Sequence, residues 1–375
     1  MSTAGIIFSN IHDENISELT RMRTMASVPF GCRYRFIDFA LSNMVNSEIY
    51  NVGVITHYNY QSLMDHIGTG KDWDLSRRSG GIKILPPFIT AYAGEHKLYT
   101  TRLEALKGIY TYLQSLTDDY VVLCDCDVVC NIDLRDIIEY HIEIKSNLTI
   151  AVKQVYIVKN TMDDTEIIES DENGRITDIL TAPFFESGYK DINLNICVFT
   201  RSYLLKVISD SIVHNHSHLS FDILQKNIKK ERYRVYKYKG YFARISSIKD
   251  YFRHSMDLLN SEVRTELFRV KNRPIYTKVR NSPPAQYTQT AKVSNSLIAD
   301  GCIIEGIVEN SILFRGVKVN KNAYIKNSIL MQDTLCGDNV DLNCIITDKN
   351  VVIRDGRILS GHETLPFVIG KNGIV

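Results

Sequence analysis

The chain has 375 residues, 44% of them hydrophobic and 23% charged, with a net charge of +1. That length gives ample core for two domains, and the balanced charge excludes a global field drawing the chain to nucleic acid or anionic lipid. No apolar run approaches the roughly 20 residues of a membrane span, and Met1 leads into a strand without the basic and apolar regions of a secretory signal, so a cytoplasmic location is expected.

In chain order, strand-like runs fall at Ala4–Phe8, Val52–Thr56, Ile82–Leu85, Tyr120–Cys124 and Leu148–Gln154, with helical stretches between them that include Thr101–Leu116 and Leu134–Lys145. Alternation of this kind predicts a doubly wound, mostly parallel α/β sheet covered on both faces, with ligands at the carboxyl ends of the strands. Residues 1–255 read as this domain. Eight cysteines are scattered along the chain. Cys124, Cys126 and Cys130 invite a metal reading, but they ride on an apolar strand, whereas zinc pairs sit on turns and come with a second pair. No metal is expected there.

After a linker at 256–285, marked by Pro283-Pro284, the period changes. An apolar residue returns every six positions at Ile307, Leu313, Val319, Ile325 and Met331, with a second register at Val317, Ala323, Ile329 and Leu335. The pattern resumes, shifted, at Val340, Ile346, Val352 and Ile358. Short strands turning a corner every six residues make a parallel β-helix over 286–375. Small or turn-prone residues such as Asp300-Gly301, Arg315-Gly316 and Asn320-Lys321-Asn322 fill the corners. An antiparallel sandwich is the plainer alternative.

The N-terminal motifs carry more. The segment Val28-Pro29-Phe30-Gly31-Cys32-Arg33-Tyr34-Arg35-Phe36-Ile37-Asp38-Phe39-Ala40-Leu41-Ser42-Asn43 resembles the ADP-glucose pyrophosphorylase (glucose-1-phosphate adenylyltransferase) family. Val52-Gly53-Val54-Ile55-Thr56-His57-Tyr58, His66-Ile67-Gly68, Trp73-Asp74-Leu75, Leu85-Pro86-Pro87 and Asn295–Cys302 follow in the family's order. The resemblance spans essentially the whole chain. It implies a nucleotidyltransferase-like sheet domain followed by a left-handed β-helix of hexapeptide repeats, and it places the catalytic positions.

Counted back from Pro29, the family's three phosphate-loop glycines fall on Asn10, Ile11 and Asp13, its loop arginine on Asn15 and its lysine on Met25. Loop glycines permit left-handed backbone and close approach to phosphate; Ile11, being β-branched, does neither. Asp13 and Glu14 put negative charge where a triphosphate would lie. Thr101-Arg102-Leu103 replaces the small G-T-A triplet near the nucleotide, so a partly filled pocket is expected. Asp127 keeps the place of the first magnesium carboxylate; it also reads simply as a turn aspartate. Arg244 stands in place of the second carboxylate and is expected to pair with Asp127. Ala182 replaces the sugar-phosphate lysine.

The resemblance therefore implies a catalytically dead, regulatory subunit that uses no cofactor of its own. Its expected partner is the catalytic subunit of bacterial ADP-glucose synthesis for glycogen, which uses magnesium and ATP, in a homo- or heterotetramer. Family effectors are phosphorylated metabolites bound between the domains, which makes Arg23, Arg33 and Arg35 candidates, with His57 and Arg315 behind them. Arginine suits phosphate through its bidentate fork; a solvated basic face is the plainer reading. Three further readings compete. A weakly active nucleotidyltransferase with a rearranged loop is one, and a purely structural homo-oligomer another. A hexapeptide acyltransferase would need a histidine in the coils, where the only one after residue 290 is His362.

Overall fold

A computed structural model of the chain describes residues 2–86, 99–158, 165–181 and 186–375. The first strand, Thr3–Phe8, lies inside the main sheet. It pairs in parallel with Asn51–Ile55 on one side and Tyr120–Asp125 on the other, and Gly81–Leu85 extends the parallel part. These runs are apolar almost without a break because both faces are covered. Alternate residues go to opposite sides: Ile7, Val122 and Cys124 enter one core, and Ile6, Val121 and Leu123 the other. Gly53 leaves room for its neighbours on the strands, since a Cβ there would lie 2.7 Å from Leu85 Cδ1 and 3.1 Å from Ile6 Cδ1 and those side chains would have to move aside.

Beyond Tyr120–Asp125 the sheet changes direction. The long strand Gly188–Thr200 runs antiparallel to it and to Leu148–Ile157. Glu166–Ser170 and Ile176–Thr181 form an antiparallel pair at that edge, and Tyr233–Lys237 returns parallel to Leu148–Ile157. The sheet is therefore mixed, with its parallel pairs concentrated in the half built by the first crossovers. The helix expected over Thr101–Leu116 is two, Arg102–Gly108 and Tyr110–Ser115, broken next to a glycine that favours helix poorly.

The stretch expected as a linker is structured. It contains the helix Ser261–Phe268, whose Phe268 ring stacks on Tyr34 at 4.9 Å. The chain then enters a left-handed parallel β-helix of three sheets. Ile307 stacks on Tyr324 and Tyr324 on Asp341, so a coil is one residue short of three six-residue repeats, which accounts for the shifted register. Val308, Leu313, Val319, Ile325 and Leu342 fill the interior. Corners turn through left-handed residues, Asn310, Asn322, Asn327 and Asn339 among them. Asparagine tolerates that conformation, and its side chains also ladder between coils, Asn327 Nδ2 donating to Asn343 Oδ1 at 3.1 Å.

One outer face of the β-helix is apolar. Ile312, Ile329 and Ile346, with Phe314 and Met331, join the same core as Phe30, Phe36 and Leu258. The two architectures thus share a core, and the basic motif Gly31–Arg35 lies at the seam.

Candidate functional site

Phe8 pairs with Asp125 across the parallel strands. That register sets the loop Ser9–Asn15 beside Asp125-Cys126-Asp127 at the carboxyl ends. None of Asn10, Ile11 or Asp13 takes a left-handed conformation, so the glycine-free loop follows an ordinary path into the short 3-10 turn Asp13–Ile16, which includes Asn15. The Asp13 side chain turns inward: its Oδ1 accepts from the Met25 N–H at 2.6 Å, and Thr20 Oγ1 donates to its carbonyl at 2.6 Å. Burial pushes the Asp13 carboxyl up to about 7, against the pull of the Met25 N–H and His12. Its charge thus faces the loop's own anchor, a correction to the expectation that it points into the cleft. Met25 is fully buried in the core. Tyr99 donates to Asn10 Oδ1 at 2.9 Å and packs on His57.

Four charged side chains and an imidazole converge here. Arg102 donates to Asp125 Oδ2 through Nε at 2.8 Å and Nη2 at 2.5 Å. His12 Nε2 lies 2.9 Å from the same oxygen and 3.6 Å from Asp127 Oδ2. Arg244 Nε lies 3.4 Å from Asp127 Oδ2, and its Nη1 donates to Thr165 Oγ1 at 3.3 Å. Asn195 Nδ2 donates to both Asp127 oxygens, at 3.0 and 3.3 Å. Burial alone would raise the Asp125 carboxyl; Arg102 and His12 more than offset it and hold it below the usual range. Burial alone would weaken the Arg102 cation, and Asp125 reverses that.

His12, Asp125 and Asp127 bring ligand atoms within 4.8 Å of one another, a spacing a cation could use. The donor chemistry argues otherwise. Two carboxylates face two guanidiniums, so the cluster is already neutral, and a divalent ion would have to displace both arginines. Sequence reasoning missed His12 and Asp125. Asp125 had a signal, being two residues from Asp127 at a strand end; His12 had none without the loop's path. Ala182 lies outside the described residues.

A second cluster occupies the seam between sheet domain and β-helix. A cleft there is lined by Arg33, Arg35, His66, Lys278, Arg280, Arg315 and Lys349, with Phe314 and Gln332. Arg33, half exposed, lies 3.9 Å from Asp300, which Arg315 Nε meets at 3.1 Å. Arg35 donates to the Ser62 carbonyl at 2.6 Å, and burial brings its guanidinium down to about 10. His66 pairs with Asp38 at 2.5 Å. Of the anion-site candidates, the cleft brings together Arg33, Arg35 and Arg315. Arg23 faces away into a buried ion pair, Nη2 reaching both Asp348 oxygens at 2.7 Å. His57 stands apart against Tyr99. Lys278, Arg280 and Lys349 carried no signal in the sequence, since a linker and a β-helix corner are ordinary places for exposed charge.

Comparison with known proteins agrees with this architecture. The nucleotidyl transferase family matches residues 14–261, and the GlmU-like, C-terminal hexapeptide family residues 283–374. The chain is 32% identical over 372 residues to the glycogen biosynthesis protein GlgD of Bacillus subtilis, covering 98% of this chain and 95% of that one. It is 32% identical over 364 residues to a glucose-1-phosphate adenylyltransferase of Bacillus cereus, covering 94% and 93%, and 31% identical to that of Bacillus anthracis over the same length and shares. With the sheet domain, the β-helix and these full-length relatives in agreement, the chain belongs to the nucleotidyl transferase family, among the glucose-1-phosphate adenylyltransferases and their GlgD relatives.

Proposed function

We propose that this protein is a non-catalytic subunit that regulates a catalytic glucose-1-phosphate adenylyltransferase, the enzyme that joins ATP and glucose 1-phosphate into ADP-glucose and diphosphate for glycogen. The observation that carries the reading is Arg244 against Asp127. Adenylyl transfer builds negative charge on the α-phosphate and needs preorganised cations and a metal to meet it. In this chain the carboxylate kept from the metal site has a guanidinium and a carboxamide as partners. The neighbouring Asp125 neutralises Arg102, a cation that phosphate could otherwise use. Magnesium does not fit this donor set, and no step is derived through it. The loop that would cradle a triphosphate is closed on itself through Asp13, and Tyr99 covers Asn10.

The seam cleft supports a regulatory role. Five arginine and lysine side chains beside Lys349 line it, and Asp300 pairs with two of them, Arg33 and Arg315. Such a site suits a phosphorylated metabolite. It also joins the sheet domain to the β-helix, so an anion there acts on both halves. Coupling to a partner then follows from geometry that differs between bound and free states.

The test uses the purified chain with ATP, glucose 1-phosphate and magnesium, alone and with a catalytic relative. We expect no turnover above background alone, a complex of the two chains by mass measurement, and a changed rate or effector response in the mixture. Brisk ADP-glucose formation by the isolated chain would overturn the reading in favour of an active enzyme with a rearranged loop.

A further inference from the structure

Lys349 stands at the wall of the seam cleft, and its surroundings are unusual for a lysine. From its own segment it meets Asp348, but Arg23 already holds both oxygens of that carboxylate. From the N-terminal segments it faces Arg23 and Arg35, and from the chain entering the β-helix Arg280, with Lys278 in the same wall. From the helix Gln61–Ile67 it faces His66, which is engaged with Asp38. Arg315, across the cleft, is paired with Asp300. Lys349 forms no ion pair among the described residues. Burial first, then Arg35 and Arg23, bring its ammonium down to about 6. Near neutral pH the amine is therefore mostly uncharged. An anion beside these guanidiniums reverses the local field and favours the ammonium.

We propose that a phosphate- or sulfate-type oxyanion entering this cleft is held by Arg33, Arg35 and Arg280 and draws a proton onto Lys349, so that anion binding and proton uptake are one event. The proton comes from the buffer and lands on Nζ; no covalent bond of the anion changes. This rests on the anion-site reading above and adds that the site reads pH. Because the free amine is the neutral form above about 6, the anion must supply the drive for protonation there, and affinity falls as pH rises.

Sulfate is the first probe, since it does not itself titrate near neutrality. Calorimetry of the full chain at pH 7.5, in buffers of different ionisation heat, is expected to show about one proton taken up per sulfate, and affinity is expected to fall about tenfold from pH 7 to pH 8. Lys349→Arg, charged throughout, is expected to bind sulfate without uptake and with a flat pH profile. His66→Gln is expected to keep the uptake. Sulfate binding without proton uptake in the unmodified chain overturns the proposal, as does uptake that survives in Lys349→Arg. Absence of binding by both sulfate and a sugar bisphosphate from pH 6 to 8 overturns the anion-site reading itself, and this inference with it.

Discussion

Asp13 keeps a carboxylate inside a loop that has folded around it. An unfolded aspartate ionises near 3.9, whereas in the fold this one is pushed up to about 7. The folded state therefore holds the proton more tightly between those values. Its contribution to stability is full below about pH 4 and is lost as pH rises through about 7. Asp13→Asn keeps an oxygen for the Met25 N–H and removes the ionisation. We expect the variant to gain about 1–2 kcal/mol on the unmodified chain at pH 8 and little at pH 4, read by chemical denaturation at the two pH values; an equal difference at both would refute the assignment. Arg244→Ala is expected to act oppositely. Asp127 is 1% exposed, and removing its cation leaves a buried charge to His12 and Asn195, at a cost of roughly 3 kcal/mol by the same measurement. Turnover is not expected to return, because the loop and Arg102 are unchanged. The partnership of Arg244 with Asp127 was legible from sequence because two motifs placed both residues in one site. The second ion pair was not, because Arg102 opens a helix 23 residues before Asp125, which ends a strand, and only the fold brings the two together with His12.

Among the elements, the first crossovers were read closely because apolar runs flanked by amphipathic helices leave few alternatives. Of the antiparallel half only Leu148–Gln154 was read. Gly188–Thr200 mixes Lys190, Asp191, Asn193 and Asn195 among its apolar residues, since part of it borders a polar site, and that blurs the strand pattern. The β-helix was legible from its six-residue period, and its corners explain the period's slip. Those corners carry a specific prediction. Asn327 holds a φ of 45° and bonds to Asn343. Asn327→Ala keeps the strained conformation and loses the ladder, so a loss of about 1–2 kcal/mol is expected. Asn327→Gly loses only the ladder and is expected to cost about half as much. Thermal unfolding of the two variants checks the order; an alanine variant as stable as the glycine variant would show that backbone conformation is not what selects asparagine there.

At the scale of the molecule, an apolar face and a buried ion pair, Arg23 with Asp348, join the β-helix to the sheet domain among the described residues. The face, Ile312, Ile329 and Ile346, supplies area without direction. Arg23 with Asp348 supplies direction, because one guanidinium nitrogen, Nη2, is held at 2.7 Å by both carboxylate oxygens in a site closed to water. Both residues are almost fully buried, so removing one partner strands the other. Asp348→Asn is expected to lower stability by about 3–5 kcal/mol. Replacing both, Arg23→Met with Asp348→Leu, is expected to recover most of that loss, because no charge is then left alone. The two outcomes separate stability from alignment. If the pair serves to hold the seam cleft in shape, the double variant folds well yet binds sulfate at least tenfold more weakly than the unmodified chain, because Arg35 and Lys349 flank the lost pair. If it serves stability alone, the double variant binds sulfate normally. Denaturation and calorimetry on the same preparations decide between them, and the position of Lys349 immediately after Asp348 in the chain is the reason we expect the first result.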